Sequence, residues 1–188
     1  MNEPAVCVFC GSRTGGHTRF RKLAEEVGRG LAERGATVVY GGGALGLMGV
    51  VSNAAIDAGG KVTGIIPTFL RKQEVQNMHL TRTIVTRGML DRKQAMIDLS
   101  DSFLILPGGL GTLDELFEVL TWRQLGQIDK PIVLLSEEGF WQPLLGLIDH
   151  TIGQGFAGGG VRDLYVSTDN LDAAFDALGL AESRARQA

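Results

Sequence analysis

Ser102-Phe103-Leu104-Ile105-Leu106 runs directly into Pro107-Gly108-Gly109-Leu110-Gly111-Thr112-Leu113-Asp114-Glu115. The first five residues carry no charge, and four of them are large and apolar. That is the mark of a strand covered on both faces, since a half-exposed strand would alternate polar with apolar. A proline and three glycines interrupt the run, and apolar residues then return at helical spacing. Residues 102–106 are therefore expected as a strand, 107–111 as a glycine loop and 113–125 as a helix. The same unit repeats outward. Upstream, strands at 5–10, 37–40, 61–66 and 81–86 are expected, with helices at 17–34, 47–58 and 90–100. Leu23, Val27, Gly30 and Leu31 share one face of the first helix, and Ala95, Met96 and Leu99 are expected to point inward from the third. Residues 68–80 are weakly patterned and read as a long loop with room for a short helix. Downstream come a strand at 131–136, a helix at 140–152, a glycine-rich loop, a short strand at 164–167 and a helix at 171–178. Alternating apolar strands and amphipathic helices predict an α/β fold. Its core is a doubly wound parallel sheet of about seven strands with helices on both faces.

The chain has 188 residues, 18 Lys plus Arg, 21 Asp plus Glu, and a formal charge of −3. One domain is expected over residues 1–180, with a polar tail at 181–188. The slight negative charge argues against a nucleic-acid partner and against an anionic membrane surface. No apolar run approaches the ~18 residues of a membrane span. Met1-Asn2-Glu3-Pro4 has neither the basic start nor the apolar stretch of a signal peptide, so a cytoplasmic location is expected. Cys7 and Cys10 are the two cysteines. Three apart in a strand, they face opposite ways and are expected as buried thiols rather than metal ligands. His17, His79 and His150 lack ligand spacing, so no metal is expected.

Glycine is the unusual residue, with 27 in the chain against an ordinary usage of roughly 7%, and it is clustered after strands, where ligands bind in such folds. Gly41-Gly42-Gly43-Ala44-Leu45-Gly46 matches G-x-G-x-x-G. The next strand, Lys61-Val62-Thr63-Gly64-Ile65-Ile66, carries no acid to hold a ribose, which disfavours a nicotinamide dinucleotide. Two readings remain for Gly42, Gly43 and their neighbours, close packing at a tight turn or a backbone cradle for phosphate or ribose, and the cradle is preferred. In the second cluster, Thr112 reads as the N-cap of the following helix, whose first-turn amides would receive a phosphate. Thr112-x-x-Glu115 is also a capping box, and a Glu115 in the first turn would stay ionised beside the positive helix end. Such a carboxylate suits a general base or the stabilisation of a cation. Finally, Arg92 and Lys93 lie near the start of the third helix, where cations oppose the dipole, which suggests a purpose beyond folding.

Pro107-Gly108-Gly109-x-Gly111-Thr112-x-x-Glu115 resembles the signature of the LOG (Lonely Guy) proteins, the cytokinin riboside 5′-monophosphate phosphoribohydrolases. The likeness extends over nearly the whole chain. It includes residues 7–12, Gly41-Gly42-Gly43-x-x-Gly46-Leu47-Met48-Gly49, Met89-x-x-Arg92-Lys93 and Thr121-Trp122-x-Gln124-Leu125-Gly126. The older name lysine decarboxylase is not adopted, because no pyridoxal-phosphate site is apparent. The resemblance implies a Rossmann-like fold, usually a homodimer with sites near the subunit interface. It also implies hydrolysis of the N-glycosidic bond of an AMP-like nucleotide to free base and ribose 5-phosphate, without cofactor. It assigns Arg92 and Glu115 as the catalytic pair. Substrate contacts would come from Glu74, Arg92, Lys93, Gly109, Leu110, Gly111, Thr112, Leu113, Asp114, Glu115 and Thr121, and Ser12, Gly42 and Gly43 join them in the expected site. Arg13 and Asp114 depart from the pattern, standing where relatives often carry a small polar residue and a glutamate.

The chemistry of the residues agrees with this reading. Cleaving a ribosyl bond builds positive charge on the sugar, which an ionised Glu115 would stabilise while orienting or deprotonating water. Arg92 would hold substrate and position Glu115. A rival reading is a non-catalytic carrier of a nucleotide or molybdenum cofactor on the same scaffold, which would not need the pair. A dinucleotide oxidoreductase is the weaker third.

Overall fold

A computed structural model of the chain describes residues 3–71 and 75–180. Glu74 and the expected tail lie outside the described residues.

The strands are β1 Ala5–Phe9, β2 Thr37–Tyr40, β3 Val62–Pro67, β4 Arg82–Thr86, β5 Ser102–Ile105, β6 Ile132–Leu135 and β7 Val166–Thr168. The helices are α1 Thr18–Glu33, α2 Gly46–Asp57, α3 Met89–Asp98, α4 Leu110–Gln124, α5 Gln142–Gly153 and α6 Leu171–Ala177. All seven strands are parallel, in the order β4-β3-β2-β1-β5-β6-β7. The chain works outward from β1 to β4, returns through α3, and continues on the other side of β1 from β5 to β7. The order therefore reverses between β1 and β5, where adjacent loops part and leave a crevice at the carboxyl ends of the strands.

Two apolar cores sandwich the sheet. Val6, Val8 and Cys10 of the β1 run face α1, α2 and α6, which contribute Leu23, Val27, Leu31, Val51 and Phe175. Cys7 and Phe9 face the opposite way, toward Met96, Ile97, Leu116, Val119 and Ile148 of α3, α4 and α5. Period-two alternation in β1 thus fills both layers, and both thiols are buried on opposite faces, as expected. Gly30 meets its core by letting the Phe175 ring lie against the backbone of α1.

Two local expectations are corrected. Leu99 is exposed, because α3 ends at Asp98 and the residue caps the helix, and Ile97 points inward instead. The other is the start of α4, described with the site. The stretch after β3 opens, in line with the expected short helix, on a 3-10 turn at Thr68–Leu70. No helix among the described residues is long and apolar enough to cross a membrane.

Candidate active site

The crevice is tied at its floor by one residue, Gly11. The Gly11 N–H donates to Pro107 O at 3.1 Å, joining the loop after β1 to the loop after β5. The Gly11 carbonyl accepts from Leu47 N at 3.0 Å and Met48 N at 3.4 Å, the first turn of α2. This second contact decides the role of the first glycine cluster. The α2 amides that a phosphate would seek already have an acceptor. Gly42 and Gly43 are buried, and neither lines the cavity above the floor. Gly41 leaves room for Arg92, Gly42 adopts φ +79° against β3, and the Gly43 carbonyl accepts from Tyr40 Oη at 3.2 Å. The expected cradle gives way to close packing, the alternative reading of these glycines.

The second cluster is different. Helix α4 begins at Leu110, with Gly109 as its N-cap and no side-chain cap, three residues earlier than expected. Thr112 is therefore in the first turn rather than at the cap, buried beneath Gly108, where any Cβ would collide with its side chain. Glu115 falls in the second turn, so there is no capping box and no acid in the first turn. Gly109 and Gly111 have open space where a Cβ would be. The first-turn amides of α4 have no intrahelical acceptor and lie at the rim of the crevice.

Above the floor is a cavity of about 590 Å³, a size that admits a small organic ligand. Ser12, Arg92, Gly109, Leu110, Gly111, Thr112, Asp114 and Glu115 all line it, drawn together from the β1–α1 loop, α3 and α4. Arg92 is buried, only 4% exposed. Its Nε donates to Ile65 O at 3.1 Å and its Nη2 to Gly41 O at 2.8 Å, so carbonyls at the ends of β2 and β3 orient the guanidinium. Glu115 is half-buried. Burial first, and then the negative charge of Glu115, push the Cys10 thiol on the cavity wall well above the usual cysteine range. Cys7 is raised for the same two reasons in the same order.

Three expected residues stand apart. Leu113 packs on the α4 side of the core. Thr121 is exposed about three turns along α4, donating from Oγ1 to Phe117 O at 2.6 Å. Lys93 does not line the cavity: its Nζ is 3.1 Å from Asp114 Oδ2 and 3.2 Å from Glu118 Oε2, clamping α3 to α4. Burial alone would lower its pKa, but the hydrogen bonds it donates to the two carboxylates, with their negative charge, outweigh that and raise it. Sequence reasoning missed the apolar wall: Phe20, Leu47, Met48, Leu70, Met89 and Phe140. They come from five separate segments, and no spacing links them. Phe20 and Phe140 meet edge to face at 5.5 Å, and Arg19 pairs with Glu138 beside them.

A doubly wound parallel sheet whose switch-point crevice holds a helix start, two carboxylates and a buried guanidinium defines a Rossmann-like α/β protein. Residues 48–178 match the family model described as "Possible lysine decarboxylase". The cytokinin riboside 5′-monophosphate phosphoribohydrolase LOG of Oryza sativa subsp. japonica is 44% identical over 162 residues, 86% of this chain and 67% of that protein. The cytokinin riboside 5′-monophosphate phosphoribohydrolase of Rhodococcoides fascians is 42% identical over 175 residues, 93% and 88% respectively. The chain belongs to the LOG family of cytokinin riboside 5′-monophosphate phosphoribohydrolases. Its fold also matches the Moco carrier protein of Chlamydomonas rheinhardtii, with TM-score 0.71, 22% identity and 95% and 97% of the two chains covered. The molybdenum cofactor binding protein of Rippkaea orientalis gives TM-score 0.72 at 21% identity, with the same coverage. At such identity the likeness is one of fold.

Proposed function

We propose that this chain hydrolyses the N-glycosidic bond of adenosine 5′-monophosphate and its N6-substituted, cytokinin-type relatives, releasing the base and ribose 5-phosphate. The observation that carries the reading is that Glu115 and Arg92 line one cavity beside the uncapped start of α4. The 5′-phosphate rests on the first-turn amides of α4, with Ser12 opposite. As the base departs, positive charge grows at the anomeric carbon, and the Glu115 carboxylate faces it. Glu115 takes a proton from the attacking water, whose oxygen becomes the new anomeric hydroxyl. The departing base gains a proton from the surrounding water. Arg92, fixed by two carbonyls, holds substrate and sets the position of Glu115.

The test is incubation with AMP and with isopentenyladenosine monophosphate, followed by chromatography for base and ribose 5-phosphate. Release of both products upholds the reading. Tight AMP binding with no release supports the carrier alternative, for which the shared fold is the supporting observation.

We take residues 1–180 to be one domain and the working form to be a cytoplasmic homodimer, with no nucleic-acid partner. Leu110, Phe117 and Leu125 along α4, and Leu90 at the start of α3, are exposed apolar side chains that support self-association.

A further inference from the structure

Within the proposed reaction, a dianionic phosphate must be held in a cavity whose α4 wall already carries two carboxylates, Asp114 and Glu115. Arg13 and Arg92 are the cations among the described residues lining it. Arg92 directs two of its nitrogens at the carbonyls of Ile65 and Gly41, on the strand side of the cavity. Lys93 is committed to Asp114 and Glu118 outside the lining. Arg13 belongs to the loop that lies against the glycine loop before α4. The Gly11 N–H donates to Pro107 O at 3.1 Å and a Cβ at Gly11 would be 3.4 Å from Gly108 Cα, so the two loops are in contact, and Arg13 lines the same cavity as Gly108 and Gly109. The guanidinium is exposed, on a flexible stem, with glycines at 15 and 16 following it.

We infer that Arg13 is a specificity-determining residue, closing on the substrate phosphate from the side opposite the α4 amides and fixing the preference for a nucleoside monophosphate over a free nucleoside. This rests on the reading given under Proposed function. The chemistry favours it, because a guanidinium matches two phosphate oxygens at once, whereas a small hydroxyl side chain at this position would offer one hydrogen bond and no charge. A partly exposed cation acting on a dianion also makes the capture of substrate sensitive to salt.

The experiment measures steady-state kinetics with AMP and with adenosine for the wild type, R13S and R13K, at low and high ionic strength. R13S is expected to raise KM for AMP roughly tenfold while kcat changes less than about twofold, to lower the selectivity for AMP over adenosine by the same factor, and to flatten the salt dependence of kcat/KM. R13K is expected to keep the salt dependence and to recover part of the KM. An unchanged KM for AMP in R13S, or equal losses on AMP and adenosine, overturns the inference. Calorimetric titration of the wild type and R13S with AMP reads the same contact without turnover. Weakening of about tenfold upholds the role of Arg13 even if the wild type releases no adenine, and equal affinities overturn it even if it does.

Discussion

At the scale of single residues, the site rests on what Arg92 and Glu115 are given to face. Replacing Glu115 with Gln removes the fixed negative charge and the proton acceptor with almost no change in shape. Turnover of AMP should fall by at least about 10²-fold, with an unchanged circular dichroism spectrum. Arg92→Ala should do the same, and full turnover by either variant rejects the assigned pair. Gly41 is a less obvious dependency. A Cβ there would collide with Arg92 Nη2, so Gly41→Ala should displace the guanidinium and cost about 1–3 kcal/mol in chemical denaturation, as overpacking does. The thiols make a pH prediction. Cys7 and Cys10 are held neutral by burial and by the charge of Glu115, whereas in the unfolded chain they ionise near about 8.5. The folded state then binds more protons, and stability should fall as pH climbs above that value. Denaturation midpoints at pH 7 and pH 10 measure it, and the loss should shrink in Cys10→Ala. The sequence marked Arg92 and Glu115 because their types and motif were unusual. It offered close packing for the Gly41 cluster without naming a partner, because the atom Gly41 must avoid arrives from 51 positions away.

At the scale of elements, α3 and α4 must be held together for Arg92 and Glu115 to face one cavity. Lys93, with its side chain 13% exposed between Asp114 and Glu118, is the clamp. Lys93→Met leaves two carboxylates without their cation, and because Asp114 is largely exposed the cost is discounted to about 1–2 kcal/mol. A fall in melting temperature of a few degrees should accompany a loss of kcat larger than any change in KM. Asp114→Asn should give a smaller effect in the same direction. If Lys93 instead touched the phosphate, its loss would appear mainly in KM and Asp114→Asn would not reproduce it. Helix α4 also shows where local reading runs out. A Thr three residues before a Glu is the pattern of a capping box, and two glycines are poor helix formers. Both signals placed the start at residue 113. The fold begins the helix at Leu110, because burying Thr112 under Gly108 extends the first turn backward. The α2 start misled for a related reason, since its amides are satisfied by Gly11, some 36 residues earlier.

For the whole molecule, the sheet was the most legible feature, because a parallel strand covered on both faces must be apolar, and β1, β2, β3, β5 and β6 are such runs spaced for intervening crossovers, with the more exposed β4 and β7 at the edges. Strand order is set by long-range pairing, and so was not readable residue by residue. Exposed apolar side chains at Leu110 and Phe117 of α4 and at Leu125 just after it, 86%, 41% and 67% exposed, frame the prediction at this scale. Phe117→Glu should convert a dimer to a monomer in light scattering, and an unchanged mass would remove α4 from the interface. The tie at Gly11 has a further consequence. Its N–H reaches the loop after β5 and its carbonyl the first turn of α2, so one residue links the two walls of the crevice at its bottom. Any occupant that tugs on that carbonyl loosens the first turn of α2 before it disturbs the periphery. Deuterium uptake at the Leu47 amide would then act as a built-in gauge of occupancy, read from the centre of the protein outward.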